Sequence, residues 1–489
     1  MINSITDFFE NGIHNLVEIS EDFAKFPDNL AEFIESIGKE TNKLALNIIG
    51  ETLTSRDQMI RESSSRKEKW EIVRTDTRQL ITSLGTISFQ KTLYRHKKTR
   101  ENVYLLDQIL PLSPHQRLTE DAEARLLKEA VQTSYRKAGE ETCKNEEKVS
   151  KQTVKNLLHS LEFPEAENPK EKRVVDYLYI DADEDHIALQ FQQKKGDLKV
   201  NESGYKNNGV LGKLVYVYEG IEKEAPKSKR HRLVNRHYFS GVYEGEMNKE
   251  LWAEIEHYLE TTYELSKVKK IYLNADGGSW IKSGKSRISG IVTVLDEFHM
   301  SKYLIKMSSH MLDEAEEVRK ELRRLIRRGT KEEFSAYAEE LAGYGETEKA
   351  RERILKSSSF FLNNWTAARI RLTNREEIKG CSAEGHVSHV LSARMSSRPM
   401  GWSRRGADKM CHLRAYYLNG GDMLELVRFQ EKEITKEQNT EERKCLSASE
   451  ILASEKNRYG KLGKYAEAMR ATLSLQTREK FYFQTNIVL

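Results

Sequence analysis

Cysteine and proline are both scarce in this 489-residue chain, and no apolar run approaches the length of a membrane span. The four cysteines (Cys143, Cys381, Cys411, Cys445) lie far apart and form no CxxC pair. That spacing disfavours a disulfide framework and a zinc ribbon, and a reducing cytoplasm is the expected compartment. A helical span needs roughly 20 consecutive apolar residues, so no membrane partner is expected. The opening MINSITDFFENG carries acids where a secretory leader carries bases, which argues against secretion. A charge excess of one sign is missing too. Net charge is only +4, so no field over the whole molecule argues for nucleic acid, and local clusters must do so.

What is present is a charge-rich but globular composition, 38% hydrophobic and 32% charged, long enough for two to four domains. Residues 1–75 read as a helical N-terminal region with a role in oligomerisation or simple packing; Phe8, Phe9, Ile13, Leu16, Val17, Phe23 and Phe26 recur at near-helical spacing. Residues 76–161 read as a β-hairpin, SLGTISFQKTLYR with NVYLLDQIL, followed by two helices resembling a helix-turn-helix DNA-binding unit. Ser150 caps the second helix, which buries Val154, Leu157, Leu158 and Leu161 and shows Lys151, Gln152, Lys155 and Asn156 outward. That face can read base edges and phosphates, although an ordinary amphipathic hairpin gives the same pattern. The proline-bearing EFPEAENPKEKR then reads as a linker. Residues 172–298 alternate β-like runs with an amphipathic helix, 299–370 turn wholly helical, 371–420 return to the first domain, and 421–489 form a C-terminal helical region. The fold class expected is α/β with an inserted all-helical module.

Three acids carry the chemistry. Asp183 closes YLYIDAD, crowded by Asp176, Asp181, Glu184 and Asp185, and like charges so close repel unless a cation intervenes. Asp276 closes KKIYLNAD and is followed by two glycines that let the backbone turn sharply. Glu384 opens a helix-like run and shares a face with Val387 and Leu391, where a carboxylate is normally paired or metal-bound. A solvated acidic turn, an Asp-Gly turn and a first-turn glutamate are the bland alternatives. Two strand-end aspartates and a later glutamate are the minimal ligand set for two divalent ions and in-line displacement at a phosphodiester. Arg394, Arg398, Arg404 and Arg405 with Trp402 follow the glutamate, a composition that clamps phosphates and stacks on bases. Further basic stripes are Arg323, Arg324, Arg327 and Arg328, and PKSKRHR between strands; each is equally a solvated face.

The strings YIDADEDH, NADGGSWIKSG, LDEFHMSKY and AEGHVSHVLSARMSSRPMGWS resemble the ISLre-type bacterial insertion-sequence transposases, relatives of the Mutator-like DDE transposases. The match runs from about SLGTISFQKTLYR to beyond Trp402. The resemblance implies an RNase H-like catalytic domain in which Asp183, Asp276 and Glu384 form a catalytic, metal-holding triad, with Asp181 as an alternative first acid. It implies two Mg²⁺ ions, with Mn²⁺ as a substitute. Asp296 and His299 match the family's Asp-x-x-His signature in a supporting role. The implied partners are the element's terminal inverted repeats, target DNA and further copies of the chain. The implied location is cytoplasmic, on the nucleoid when bound. An RNase H-fold nuclease that does not join strands, and a domesticated DNA-binding protein without catalysis, are the competing expectations.

Overall fold

The computed structural model describes residues 2–110, 112–113, 115–143, 148–166, 169–190, 208–276, 278–374, 376–378, 382–398 and 400–438. The chain divides into two units: Met1–Leu126 with Gly139–Val149 and the residues from Glu431, and Leu127–Ala138 with Ser150–Gln430. Cys381, Cys445 and most of the expected C-terminal helical region lie outside the described residues.

In the first unit, α1 (Ile2–Asp7) runs through a π-helical turn into α2 (Ile13–Lys25), and α3 (Leu30–Glu62) and α4 (Ser64–Lys69) follow. Of the apolar N-terminal series, Phe9, Ile13, Val17 and Phe26 are exposed, while Phe23 stacks on Phe33 of α3. An antiparallel sheet then joins β1 (Trp70–Thr82), β2 (Gly85–His96) and β3 (Asn102–Tyr104), which runs straight into α5 (Leu105–Ile109). Ile60, Leu46, Ile49 and Leu53 of α3 pack on Leu80, Ile87, Phe89 and Tyr94 of the sheet. The approach is close: a Cβ on Gly50 would meet the Ser88 carbonyl oxygen at 2.7 Å. Buried Asp57 locks it, accepting the Thr92 backbone N–H (3.0 Å) and hydroxyl (2.5 Å).

The hairpin thus begins earlier than the sequence suggests, at Trp70, and LLDQI is helical. Most of β1 from Glu71 to Thr77 is exposed on both faces, so pairing with β2 holds it and no apolar alternation announces it. Helices α6 (Glu120–Gln132) and α7 (Tyr135–Glu140) carry the boundary between the units. Helix α8 (Lys151–Ser160) belongs to the second unit and packs on its α18 (Arg404–Leu418).

The second unit is mixed α/β. Its five-stranded sheet has the order β10 (Ile291–Leu295), β9 (Lys270–Ala275), β4 (Tyr177–Ala188), β5 (Gly209–Tyr218), β8 (His237–Gly241). Strands β4, β5 and β8 are antiparallel neighbours, whereas β9 and β10 run parallel to β4. A small hairpin, β6 (Gly220–Lys223) with β7 (His231–Val234), stands between β5 and β8 in sequence. One sheet face is aliphatic: Leu178, Ile180, Ala182, Val215, Val217, Ile271 and Leu273 pack on α9 (Asn248–Thr262) and α10 (Ser279–Arg287).

After β10 come α11 (Glu297–Ser308), α12 (Ala315–Arg328), α13 (Lys331–Gly343), α14 (Glu348–Asn363) and α15 (Trp365–Thr373), which close a core of their own around Leu322, Phe334, Phe361 and Trp365. Val318, Leu322, Leu325 and Ile326 face inward on α12, while Arg324 and Arg328 are exposed and Arg323 is half-buried against α11. The return segment holds α16 (Ala383–Val387), a π-helical turn, α17 (Ala393–Met395), α18 and α19 (Met423–Gln438). No helix among the described residues is long and apolar enough to cross a membrane.

Candidate active site

The site is set by strand register. Parallel pairing of Asp181 with Asn274 puts Asp183 and Asp276 level, two residues further along β4 and β9. Asp276 stands just past the end of β9, as the sequence suggests. Asp183 does not end its strand: YLYIDAD and the following IALQ run together into one strand, and Asp183 pairs with Leu214 of β5 inside it. It still reaches an open stretch of edge, because β9 stops at Ala275 and, among the described residues, that side of β4 is next paired at Ala188, whose carbonyl accepts the Trp402 N–H at 2.9 Å.

The acidic cluster around Asp183 resolves into separate roles. Asp176 pairs with Lys269 at 2.9 Å. Asp181 is fully buried and accepts from Tyr216 Oη (2.7 Å), Tyr218 Oη (3.2 Å), Asn274 Nδ2 (2.5 Å) and the Ser382 backbone N–H (3.3 Å). Glu184, on the opposite face of the strand, accepts from Trp280 Nε1 at 2.6 Å. Asp185 accepts from the Ser396 hydroxyl at 2.8 Å. Asp183 accepts only the neighbouring Glu184 N–H, at 2.8 Å, among the bonds described. Burial raises its pKa to about 6, and the facing Asp276 charge pushes the same way. Among these acids Asp183 is therefore the one with carboxylate capacity to spare beside a second carboxylate.

Asp276 accepts the Gly278 N–H at 2.8 Å in a tight turn; Gly277 lies outside the described residues. The Asp296 N–H donates to the Ala275 carbonyl at 2.9 Å, which brings the start of α11 alongside. Asp296 caps α11 and bonds His299 Nδ1 at 3.0 Å. That bond, with Asp276 and Asp183 nearby, raises the His299 pKa against the effect of burial. Asp183 inside β4 thus has near it Asp276, just past β9, and Asp296 and His299, just past β10.

Glu384 departs from expectation. It is exposed, while Val387 and Leu391 are buried. Val387, inside the same five-residue helix, turns to the core without it, and the π-helical turn Ser388–Ser392 that follows takes Leu391 out of the i, i+7 relation of a regular helix. Its carboxylate makes no bond or ion pair with a described residue. Helix α16 nonetheless packs on β4, and Ser382, two residues before Glu384, is the residue bonded to Asp181. Among the described residues no three His, Cys, Asp or Glu side chains stand close enough together to hold a metal ion.

The expected DNA-contacting residues divide. Lys151, Gln152, Lys155 and Asn156 lie outward on α8, with Val154 and Leu158 beneath and Ser150 accepting the Thr153 N–H at 3.2 Å. Arg398 and Arg405 are exposed, and Arg404 forks onto Glu244 at 2.6 and 3.1 Å. Arg394 and Trp402 turn inward instead. Arg394 is 5% exposed, donates to the Ala130 carbonyl (3.1 Å) and lies 4.7 Å over the Trp402 ring, whose N–H bonds the Met395 carbonyl. They hold the return segment to Leu127–Ala138, since a buried guanidinium needs acceptors and a ring face. On α12, Arg324 pairs with Glu321, and Arg323 bonds Glu297 and Ser301.

The sequence profile of an uncharacterised protein family, UPF0236, matches residues 27–433. A UPF0236 protein of Caldanaerobacter subterraneus subsp. tengcongensis that carries eleven locus names is 35% identical over 425 residues, covering 87% of this chain and 85% of its own. A second from the same organism, under four locus names, has the same identity and coverage. Among solved structures, the Drosophila P element transposase strand transfer complex covers 71% of this chain and 93% of its own at 9% identity. Its TM-score of 0.22 is too low to argue from. Family profile and relatives agree, and the chain belongs to the uncharacterised protein family UPF0236.

Proposed function

We propose that this chain is the transposase of a bacterial insertion sequence, cutting element ends and joining their 3′ hydroxyls to target DNA through a DDE triad of Asp183, Asp276 and Glu384. The observation that carries the reading is that Asp183, inside β4, lies level with Asp276, just past the end of the adjacent parallel β9. The sheet supports it, since three antiparallel strands followed by two parallel ones, with helices at each crossover, is the order expected of an RNase H-like domain. The relatives support it as well: one protein under eleven locus names in a genome is what a self-copying element leaves behind.

Carboxylate oxygens suit a hard cation, and the burial and mutual repulsion that raise the Asp183 pKa are costs such a cation relieves. When bound, a pair of Mg²⁺ ions, with Mn²⁺ as a substitute, would supply charge neutralisation and an activated oxygen. Asp183 and Asp276 would hold them from the sheet. Glu384, exposed and without a partner among the described residues at the start of α16, would turn in as the third ligand. Asp296 orients the His299 ring through the bond to its Nδ1 and raises its affinity for a proton. Lys151, Gln152, Lys155 and Asn156, with Arg398 and Arg405, would contact DNA, and paired end cleavage calls for a homo-oligomer.

The test is cleavage and joining of terminal-repeat DNA by purified full-length protein with Mg²⁺. Asp276→Asn is expected to lower both steps at least about a hundredfold, since a metal-holding carboxylate contributes several kcal/mol to the transition state. DNA affinity should be unchanged. Cleavage that survives Asp276→Asn overturns the triad, and cleavage without joining reduces the protein to a nuclease.

A further inference from the structure

Beneath the candidate carboxylates lies a buried polar layer that their chemistry does not explain. Arg371, near the end of the helical insertion, is 6% exposed, yet it reaches into the sheet. Its Nε donates to the Leu295 carbonyl at 2.9 Å, and its Nη2 to Asn274 Oδ1 at 2.7 Å. The other end of the Asn274 amide donates to Asp181, which also accepts from the Ser382 N–H and the Tyr216 hydroxyl. The Tyr216 hydroxyl in turn meets Ser382 Oγ at 3.1 Å. Four backbone segments in this layer carry a site residue just beyond it. Asp181 precedes Asp183 by two positions, Asn274 precedes Asp276 by two, Ser382 precedes Glu384 by two, and Leu295 adjoins Asp296.

We propose that Arg371 is a positioning residue that fixes the spacing of Asp183, Asp276 and Glu384 through Asn274, Asp181 and Ser382, so that the helical insertion sets the site's cation affinity. The proposal rests on those three acids being the metal-holding set. A planar guanidinium reaches the Leu295 carbonyl and the Asn274 amide oxygen from two nitrogens held in a fixed fork, a geometry that the single nitrogen of a lysine does not reproduce. Asn274 is thereby fixed with its oxygen toward Arg371 and its NH₂ toward Asp181. Removing the guanidinium leaves a buried carbonyl and an amide oxygen unsatisfied and lets β9 and β10 shift against β4. Groups of this kind behind metal-binding carboxylates change affinity by roughly 10- to 100-fold when replaced.

The experiment is Mn²⁺ binding to the DNA-free, full-length protein, followed by the paramagnetic resonance of free Mn²⁺. Arg371→Gln should weaken binding about 10-fold or more, Arg371→Lys should recover part of the loss, and Arg324→Gln on the same insertion should change nothing. Tyr218→Phe keeps the side chain's volume and removes the hydroxyl that donates to Asp181 at 3.2 Å. It should weaken binding by a smaller factor, and it stands in if Arg371→Gln does not fold. A lowered melting temperature with wild-type Mn²⁺ affinity in both Arg371→Gln and Tyr218→Phe overturns the proposal, because that is what a merely structural role produces. Asp276→Asn separates the two levels. If it leaves Mn²⁺ binding intact, the triad reading is what has failed. If it abolishes binding while the Arg371 and Tyr218 variants bind normally, the positioning role alone has failed.

Discussion

One face of the five-stranded sheet presents Leu178, Ile180, Val215, Val217, Ile271 and Leu273 to α9 and α10; the other presents Tyr179, Asp181, Tyr216, Tyr218, Tyr272 and Asn274 beneath the return segment. The same strands carry both, by simple alternation. The aliphatic face gains free energy by removing surface from water and asks little of direction. The polar face gains little net stability per bond, but each bond is directional, and a group left without its partner is costly. Stability and geometry are thus assigned to opposite sides of one sheet, and the candidate site grows from the geometric side.

The largest break in that comparison is Trp252→Ala. Trp252 is fully buried against the aliphatic face, with its N–H on the Trp280 carbonyl at 3.0 Å. Its loss should cost about 3–5 kcal/mol in urea unfolding. The remaining folded fraction should keep wild-type Mn²⁺ affinity; a matching loss of affinity would mean the two faces are not separable.

Next comes the pH response of Asp183→Asn in chelator. An acid whose folded pKa is raised, here from 3.8 to about 6, contributes stability that is complete below the unfolded value and lost as pH rises through the folded one. Wild-type protein should therefore lose about 1–3 kcal/mol relative to the asparagine variant between pH 4 and pH 7.5. Burial lowers His237 and His386 to about 4, so both lose stability on the acid side, but they do so equally in both proteins and cancel in the difference. A difference between the two proteins that is independent of pH would contradict the environment described for Asp183.

The smallest effect is that of Tyr216→Phe, which removes one hydroxyl from the polar face without changing its volume. A cost of about 0.5–1.5 kcal/mol is expected by urea unfolding. No cost at all would show that Asp181 is held by its other partners alone.

What could be seen beforehand was local. The Ser150 cap, the outward face of α8 and the position of Asp276 just past its strand each depend on residues within one or two turns, and the sequence contains them. The all-helical stretch before the return segment was equally visible in its periodicity. Asp183 was visible as an acid but misplaced as a strand end, because nothing in YLYIDADEDHIALQ marks a stop. Glu384 was assigned to an apolar face by regular helical spacing, which the π-helical turn after α16 breaks. Arg394 and Trp402 have the composition of a phosphate clamp, and only their burial against Leu127–Ala138 reveals another use. The Arg371–Asn274–Asp181 layer was out of reach altogether. Its bonds join residues 97 and 93 positions apart, and no pattern within a strand or helix encodes such a meeting.

The helices between β10 and the return segment close their own core, anchored at one end by Leu295 and at the other by Leu372 beside Arg371. Chain length is therefore cheap in their interior. Lengthening the connection between α12 and α13, or between α13 and α14, adds closure entropy that grows only with the logarithm of loop size, about 0.6 kcal/mol for each doubling. At the two ends a single inserted residue would rotate Arg371 or Leu295 out of place. Length variants among relatives should accordingly collect at the tips of this module and be absent where it meets the sheet.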